Sequence, residues 1–282
     1  MVDVIDTPWN AAAHIPALKS AGVRTVIRYI NHRNSRVLPE KRLERAEAEA
    51  LCDAGFGLAV VFQQNARRRA DFETPERDAG RAFSHAARAL GQPPGSAIYF
   101  AVDHDFVRPA DLTTIARYFE RIVEAKEAEP AERRYAIGAY GSGTVLSMLS
   151  KAELIEHRWL AMADGWSGSR AYDAAGEWSL RQDRVSRIGR LDIDENTVGA
   201  SDEFGAFTIR TRSLAPGTQA RVTARRGLRL RDGPSLANRI LGVMKHGTTV
   251  SVLSRGYGWA EVDSNGDGRA DGHACIAFLA PA

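Results

Sequence analysis

Eight short apolar runs, rich in Val, Ile, Tyr and Phe, punctuate the first 200 residues. They lie at 2–6, 25–29, 58–63, 97–103, 135–140, 158–163, 178–182 and 191–194. Short, largely apolar runs of this kind read as strands buried on both faces, the pattern of a parallel sheet. Helical periodicity fills the first gaps, at 11–21, 40–54, 75–90, 110–128 and 142–149. Gly22, Gly55 and Gly91 follow three of these segments, and Pro75 and Pro109 open two, with Thr74 placed as an N-cap. After the sixth run the rhythm changes. About fourteen residues rich in Gly, Ser and Asp separate runs six and seven, and about eight separate seven and eight. A βαβ crossover takes at least ~10–12 residues, so neither gap comfortably holds a helix. The expected fold is therefore α/β: a closed, eight-stranded TIM-like barrel with about five βα units and three poorly covered last strands. The alternative, a doubly wound open sheet, lacks a Gly-x-Gly-x-x-Gly after any strand; Gly138-Ala-Tyr-Gly141-Ser-Gly143 has the wrong spacing.

The helical period stops near residue 200. Residues 201–219 carry Gly, Ser, Thr and Pro216-Gly217 and read as a linker with some extended structure. Beyond it, short alternating runs at 222–223, 228–231, 249–253, 259–262 and 274–278 lie between turn signals, as in a small all-β barrel. The domains expected are 1–205, a linker at 206–219, and 220–282. Charge divides in the same place. Residues 216–282 hold 9 basic and 5 acidic side chains, net +4, while 1–215 are net −1. A basic small module behind a near-neutral large one points to an anionic partner for the tail. Nucleic acid is not expected, because no helix gathers Arg on one face, and Arg67-Arg68-Arg69 reads as a solvated loop or cap. No apolar run approaches the ~18–20 residues of a membrane span. The opening residues lack the basic and apolar regions of a secretory signal, so the export route is left open. Cys52 and Cys275 are too few for a disulfide scaffold or a four-cysteine zinc module and read as small buried hydrophobes.

In a parallel αβ barrel the active site lies at the C-terminal strand ends. Those ends carry Asp6, Arg28 with Tyr29, Gln63, Asp103 with Asp105, Tyr140, Asp164 with Trp166, Gln182, and Asp192 with Asp194. One strand-end Asp is ordinarily a cap. Carboxylates from four strands around one mouth raise each other's pKa at a cost in stability, which points to chemistry or a cation. Asp103-His104-Asp105 is the sharpest element. Alternate residues of an extended strand share a face about 6.6 Å apart, so both carboxylates are expected to point into the mouth. Paired carboxyls ~5–9.5 Å apart suit glycosidases, and this spacing allows retention or inversion. Trp9, Tyr29, Tyr140 and Trp166 offer aromatic faces for the apolar side of sugar rings, while Trp178, inside a strand, reads as core.

These residues resemble a family. Val4-Ile-Asp6-Thr-Pro-Trp9, the Asp103–Asp105 strand end, Tyr140, Trp178-Ser-Leu-Arg-Gln182 and Ile193-Asp194-Glu-Asn196 are similar to motifs of glycoside hydrolase family 25 lysozymes. They resemble more closely the bacterial glycoside-hydrolase-like, or Rv2525c-like, barrel. The resemblance covers about 1–205 and implies Asp105 as general acid/base, Asp103 assisting the substrate's N-acetyl group, and Asp6 and Asp194 positioning the pair. Tyr29, Gln63, Tyr140, Gln182, Trp9 and Trp166 are the expected sugar-binding residues. The lysozyme motif ends in Glu where this chain has Asp105, one methylene shorter. Leu228-Arg-Leu-Arg-Asp-Gly-Pro-Ser235, Gly242–Gly247 and Gly258-Trp259-Ala-Glu-Val262 resemble bacterial SH3-like modules, which tether hydrolases to peptidoglycan. Tyr257 and Trp259 are the aromatic residues expected to face a ligand there.

The implied function is a cell-wall glycan hydrolase, acting without a catalytic cofactor on peptidoglycan or a related N-acetylated glycan. A catalytically silent glycan-binding protein and a metal-dependent deacetylase or phosphodiesterase are the alternatives. The chain is expected to be a monomer acting at the bacterial wall. In the tail, Asp263, Asn265, Asp267 and Asp271, with Gly268 at the sixth position, match most of a calcium loop, although Ala274 stands at the twelfth. The competing reading is a polar hairpin turn.

Overall fold

Strands form where the apolar runs lie. In the computed structural model, which describes residues 2–201, 203–209, 214–235, 238–256 and 258–282, eight strands close into a barrel in sequence order. They are β1 (Val4–Asp6), β2 (Thr25–Ile30), β3 (Gly57–Phe62), β4 (Ala97–Ala101), β5 (Ala136–Gly141), β6 (His157–Leu160), β7 (Leu180–Ile188) and β8 (Leu191–Val198). Neighbours from β1 to β7 pair in parallel. β8 runs antiparallel to both β7 and β1. This corrects the all-parallel reading. β7 extends to Ile188, so only Gly189 and Arg190 separate it from β8, and a gap that short makes a hairpin rather than a crossover.

The helices are α1 (Ile15–Ser20), α2 (Arg45–Asp53), α3 (Pro75–Ser84), α4 (Pro109–Ala128), α5 (Gly143–Lys151) and α6 (Ser169–Ala175). α3 passes into a wider turn at His85–Leu90 before stopping at Gly91, whose φ of 71° supplies the left-handed cap expected there. Thr74 makes no side-chain cap bond. α6 also corrects the expectation. β6 ends at Leu160 and β7 starts at Leu180, so the gap is wider than the apolar runs indicated and holds two turns of helix between Gly168 and Gly176.

The lower end of the barrel is closed by the chain itself. Leu58 and Phe207 exchange backbone bonds of 2.7 and 2.8 Å, Ala97 N–H donates to the Gly205 carbonyl at 2.9 Å, and the Tyr99 hydroxyl donates to the Phe204 carbonyl at 2.8 Å. Tyr99 and Trp159 are fully buried and meet edge to face, with ring centres 5.7 Å apart. The Tyr99 ring occupies the space that a side chain on Gly138 would need. With this end filled, the C-terminal ends of β1–β7, beside the start of the antiparallel β8, are the open mouth.

The chain divides into two compact units, Met1–Leu43 with Phe56–Ile209, and Glu44–Gly55 with Arg210–Ala282. In the second unit β9 (Gln219–Val222), β10 (Leu228–Arg231), β11 (Ile240–Met244), β12 (Thr249–Gly256), β13 (Trp259–Asp263), β14 (Gly272–Cys275) and β15 (Leu279–Pro281) form one antiparallel sheet. Its strand order is β11-β10-β14-β13-β12-β9-β15. It encloses its own core around Val222, Leu228, Val250, Val252, Val262 and Ile276. This is the all-β module expected. Trp259 is half-buried, and Tyr257 lies outside the described residues.

Candidate active site

Register builds one wall of the mouth. In the β1–β8 pairing Asp6 stands opposite Asp194, and in the β7–β8 pairing Gln182 stands opposite Asn196. Directly opposed residues share a face with Cβ atoms ~4.5–5.5 Å apart, so these four side chains converge. Asp6 is completely buried. Its Oδ1 accepts from the Tyr29 hydroxyl at 3.0 Å, and its Oδ2 accepts from Gln182 Nε2 at 2.9 Å and Asn196 Nδ2 at 3.0 Å. The two amides are oriented from behind: the Tyr140 hydroxyl donates to Gln182 Oε1 at 2.9 Å, and Trp159 Nε1 donates to Asn196 Oδ1 at 2.8 Å. With their oxygens occupied, both amides turn NH₂ groups toward Asp6. Gln182 Nε2 also lies 3.1 Å from Asp194 Oδ2.

Two carboxyls so placed do not ionise independently. Burial raises the Asp6 pKa against the three donors that lower it. Asp194 is pushed up to about 7, first by burial and then by the charge of Asp6. Tyr29 and Tyr140, both driven well above the ordinary phenol value by burial, remain neutral donors.

The opposite wall is cationic. Asp103 Oδ2 accepts from Arg67 Nε at 2.8 Å and from Gln63 Nε2 at 3.1 Å. Gln63 Oε1 in turn accepts from Lys41 Nζ at 2.8 Å, and its carbonyl does so at 3.1 Å. The Lys41 ammonium lies 4.7 Å from the centre of the Tyr29 ring, within cation–π range. Burial lowers its pKa to about 8, although Asp103 opposes the shift. The buried Arg28 guanidinium donates to the carbonyls of Thr7, Glu40 and Lys41 at 2.6, 2.7 and 3.1 Å, fixing the chain that carries Lys41. Between the walls is a cleft of about 670 Å³.

Tyr29, Gln63, Asp103, Tyr140, Trp166, Gln182 and Asp194 line this cleft, and Asp6 lies beneath it, bonded to Tyr29 and Gln182. Trp9 and Asp105 are not among the lining residues. The Trp9 amide donates to Thr7 Oγ1 at 3.2 Å. The expectation that an extended strand carries Asp103 and Asp105 onto one face is not met. β4 ends at Ala101, the chain turns so that Phe106 N–H reaches the His104 carbonyl at 3.1 Å, and Asp105 Oδ1 accepts from the Ser167 amide at 2.9 Å.

Lys41, Arg67, Trp159 and Asn196 are the site residues that strand-end reasoning did not assign. Arg67 and Arg68 line the cleft rather than only a solvated loop. Asn196 lies two residues beyond the apolar run 191–194, on the part of β8 that the run does not reach, whereas Lys41 falls in the helical segment expected at 40–54 and stands ahead of α2. Among the described residues no three His, Cys, Asp or Glu side chains are grouped to hold a metal ion. In the tail, Asp263 Oδ1 accepts from the amides of Asn265 and Gly266 at 3.1 and 2.6 Å, and Oδ2 from Gly268 at 2.8 Å. Asp271 accepts from the Ser264 amide and hydroxyl, each at 2.7 Å, and from Asn265 Nδ2 at 3.0 Å. These donors hold both carboxyls below the usual carboxylate range.

A closed barrel with carboxyls, amides and aromatic rings at its open mouth, followed by an all-β module, defines a glycoside hydrolase-like protein with an SH3-type appendage. Comparison with known proteins gives the family. Residues 16–204 match the Rv2525c-like, glycoside hydrolase-like domain, and residues 226–270 match the bacterial SH3 domain. The chain belongs to the Rv2525c-like family. The uncharacterized protein YbfG of Bacillus subtilis is 33% identical over 208 residues, 70% of this chain and 28% of YbfG. FadG of the same organism, also uncharacterized, is 28% identical over 202 residues, 68% of this chain and 34% of FadG. The chain thus spans about a third or less of the curated relatives it matches. Among solved structures, the Tat-secreted protein Rv2525c of Mycobacterium tuberculosis, in complex with L-tartrate, shares the fold. Its TM-score is 0.58 at 19% identity, covering 73% of this chain and 98% of that one. No helix among the described residues is long and apolar enough to cross a membrane.

Proposed function

We propose that the barrel cleaves an N-acetylated cell-wall glycan of the peptidoglycan type and that the SH3-type module holds it at the wall. The observation that carries this reading is Asp194, a carboxyl lining the cleft and pushed up to about 7. Such a group retains a proton near neutrality and can still give it up, as a general acid must. In this reading the apolar faces of sugar rings rest on Tyr29 and Trp166. Asp194 passes its proton to the glycosidic oxygen as the bond from the anomeric carbon breaks, and water supplies the hydroxyl that replaces it and returns its other proton to Asp194. Burial, and after it the charge of Asp6 held by Gln182 and Asn196, raises the proton affinity of Asp194. Asp103, on the other wall, is the carboxylate available to the cationic centre that develops.

Glycan binding without cleavage is the second reading. It is favoured by the engagement of Asp103 with Arg67 and of Asp105 with the Ser167 amide. Reducing-end release from purified peptidoglycan, run beside binding to soluble wall fragments, separates the two. Release by the wild-type chain, lost in Asp194→Asn of unchanged circular dichroism, supports hydrolysis. Binding with no release supports the second reading, and neither binding nor release removes both.

A further inference from the structure

Three cationic side chains line the cleft, and they are not equivalent. Arg67 is paired with Asp103 at 2.8 Å, and the Arg68 guanidinium reaches Asp71 at 3.9 Å. Lys41 has neutral neighbours instead: the two oxygens of Gln63 and the face of Tyr29. Among the described residues no carboxylate forms a salt bridge with it. Asp103 acts on this half-buried ammonium only from beyond Gln63, so an anion in direct contact with Lys41 relieves the cost of its partial loss of water.

The surrounding charges decide where such an anion fits. Gln63 links Lys41 to Asp103, and Arg67 closes on the same carboxylate, so Lys41 and Arg67 stand on either side of one Gln–Asp pair. Arg67 and Arg68 are largely exposed and free to turn toward a ligand. The far wall carries the charge of Asp6, the same charge that raises Asp194, and it repels an anion. A ligand bearing one negative group therefore has one favourable orientation, with that group at Lys41 and its neutral, glycosidic part toward Asp194.

Resting on the glycan reading of the cleft, we infer that Lys41, with Arg67 and Arg68 at the rim, receives a free carboxylate carried by the sugar, so the preferred glycan is acidic. A uronic acid and a sugar with an unsubstituted lactyl ether carry the same group. The test is calorimetric titration of the full chain at physiological salt. One pair of probes is a hyaluronan tetrasaccharide, which contains uronate, against neutral chitotetraose. The other is the N-acetylglucosamine–N-acetylmuramic acid disaccharide against its methyl ester. A charge-assisted contact of this kind corresponds to about tenfold tighter binding of the acidic member. Lys41→Gln is expected to bring the acidic-to-neutral ratio close to one, and Lys41→Arg to keep most of it. Whichever pair shows the preference names the source of the carboxylate. Equal affinity within both pairs, or a preference that survives in Lys41→Gln, overturns the inference and leaves the glycan reading standing. Binding of none of the four probes removes both.

Discussion

At the residue scale, Asp194 and Asp105 divide what resemblance implies from what geometry supports. Asp105 spends an oxygen on the Ser167 amide, while Asp194 faces the cleft with a raised proton affinity. Asp194→Asn is therefore expected to lower reducing-end release by ~10²–10⁴-fold, the usual loss of general acid help. Asp105→Asn keeps the acceptor for Ser167, so its loss is expected to be the smaller. Turnover of the two variants on one wall preparation checks the order, and a larger loss in Asp105→Asn returns the acid role to it. The raised pKa also has a sign in stability. The folded chain holds the Asp194 proton up to about pH 7, whereas the unfolded carboxyl releases it near 3.8. The folded state thus binds the extra proton between those values, and stability falls as pH rises across that window. Asp194→Asn removes this dependence. Its melting temperature, relative to wild type, is expected to climb between pH 4 and pH 7; a constant difference would show that Asp194 titrates normally.

At the element scale, the strands are held at close quarters by small residues and self-satisfied turns. A Cβ on Gly138 would lie 2.5 Å from the Tyr99 ring, which is fully buried and tied through its hydroxyl to Phe204. The ring has nowhere to retreat, so Gly138→Ala is expected to cost about 1–3 kcal/mol, the range for overpacking, readable in urea denaturation as a lower midpoint. The 263–271 turn offers a different test. Asp263 accepts three backbone amides, and Asp263→Ala leaves them without that acceptor, so the tail's melting transition is expected to fall by several degrees in calcium-free buffer. The same melts in millimolar calcium address the ion. A wild-type rise that Asp263→Ala loses places calcium among these oxygens. An unchanged transition leaves a turn closed by its own amides.

For the whole molecule, the second unit supplies charge that the first lacks. Its exposed Arg221, Arg225, Arg226 and Arg229 precede or lie on β10 in a segment of net charge +4. Retention of the full chain on insoluble peptidoglycan is expected to weaken as salt rises, because exposed charges are screened beyond ~8 Å at physiological ionic strength. Changing Arg225 and Arg226 to Glu is expected to reduce activity on intact wall more than on short soluble fragments, where tethering adds little local concentration. A pull-down across a salt series, beside both assays, checks this; retention indifferent to salt and to the double change would leave the module without an electrostatic wall role. Full-length variants suit this test better than a truncation, since helix α2 groups with the tail residues and Asp53 pairs with Arg255 at 3.0 Å.

The sequence by itself determined the barrel, its strand count, the all-β tail and most of the rim. Buried strands and amphipathic helices differ in period, and strand-end positions follow from strand order. Asp6, Tyr29, Tyr140, Gln182 and Asp194 were legible as rim residues because each closes a run of apolar positions. Only the tertiary structure decided how they pair. That Asp6 faces Asp194 depends on the antiparallel register of β8, which a two-residue hairpin imposes and which strand composition does not encode. Lys41 falls in the helical segment expected at 40–54, whereas α2 starts only at Arg45, and its partial burial arises from strands distant in the chain. Asp105 is not among the residues lining the cleft: β4 stops at Ala101, and the Ser167 amide, 62 residues on, takes its carboxylate. Local pattern sets which elements form, whereas proton affinities and pairings depend on what the closed barrel brings within a few ångströms.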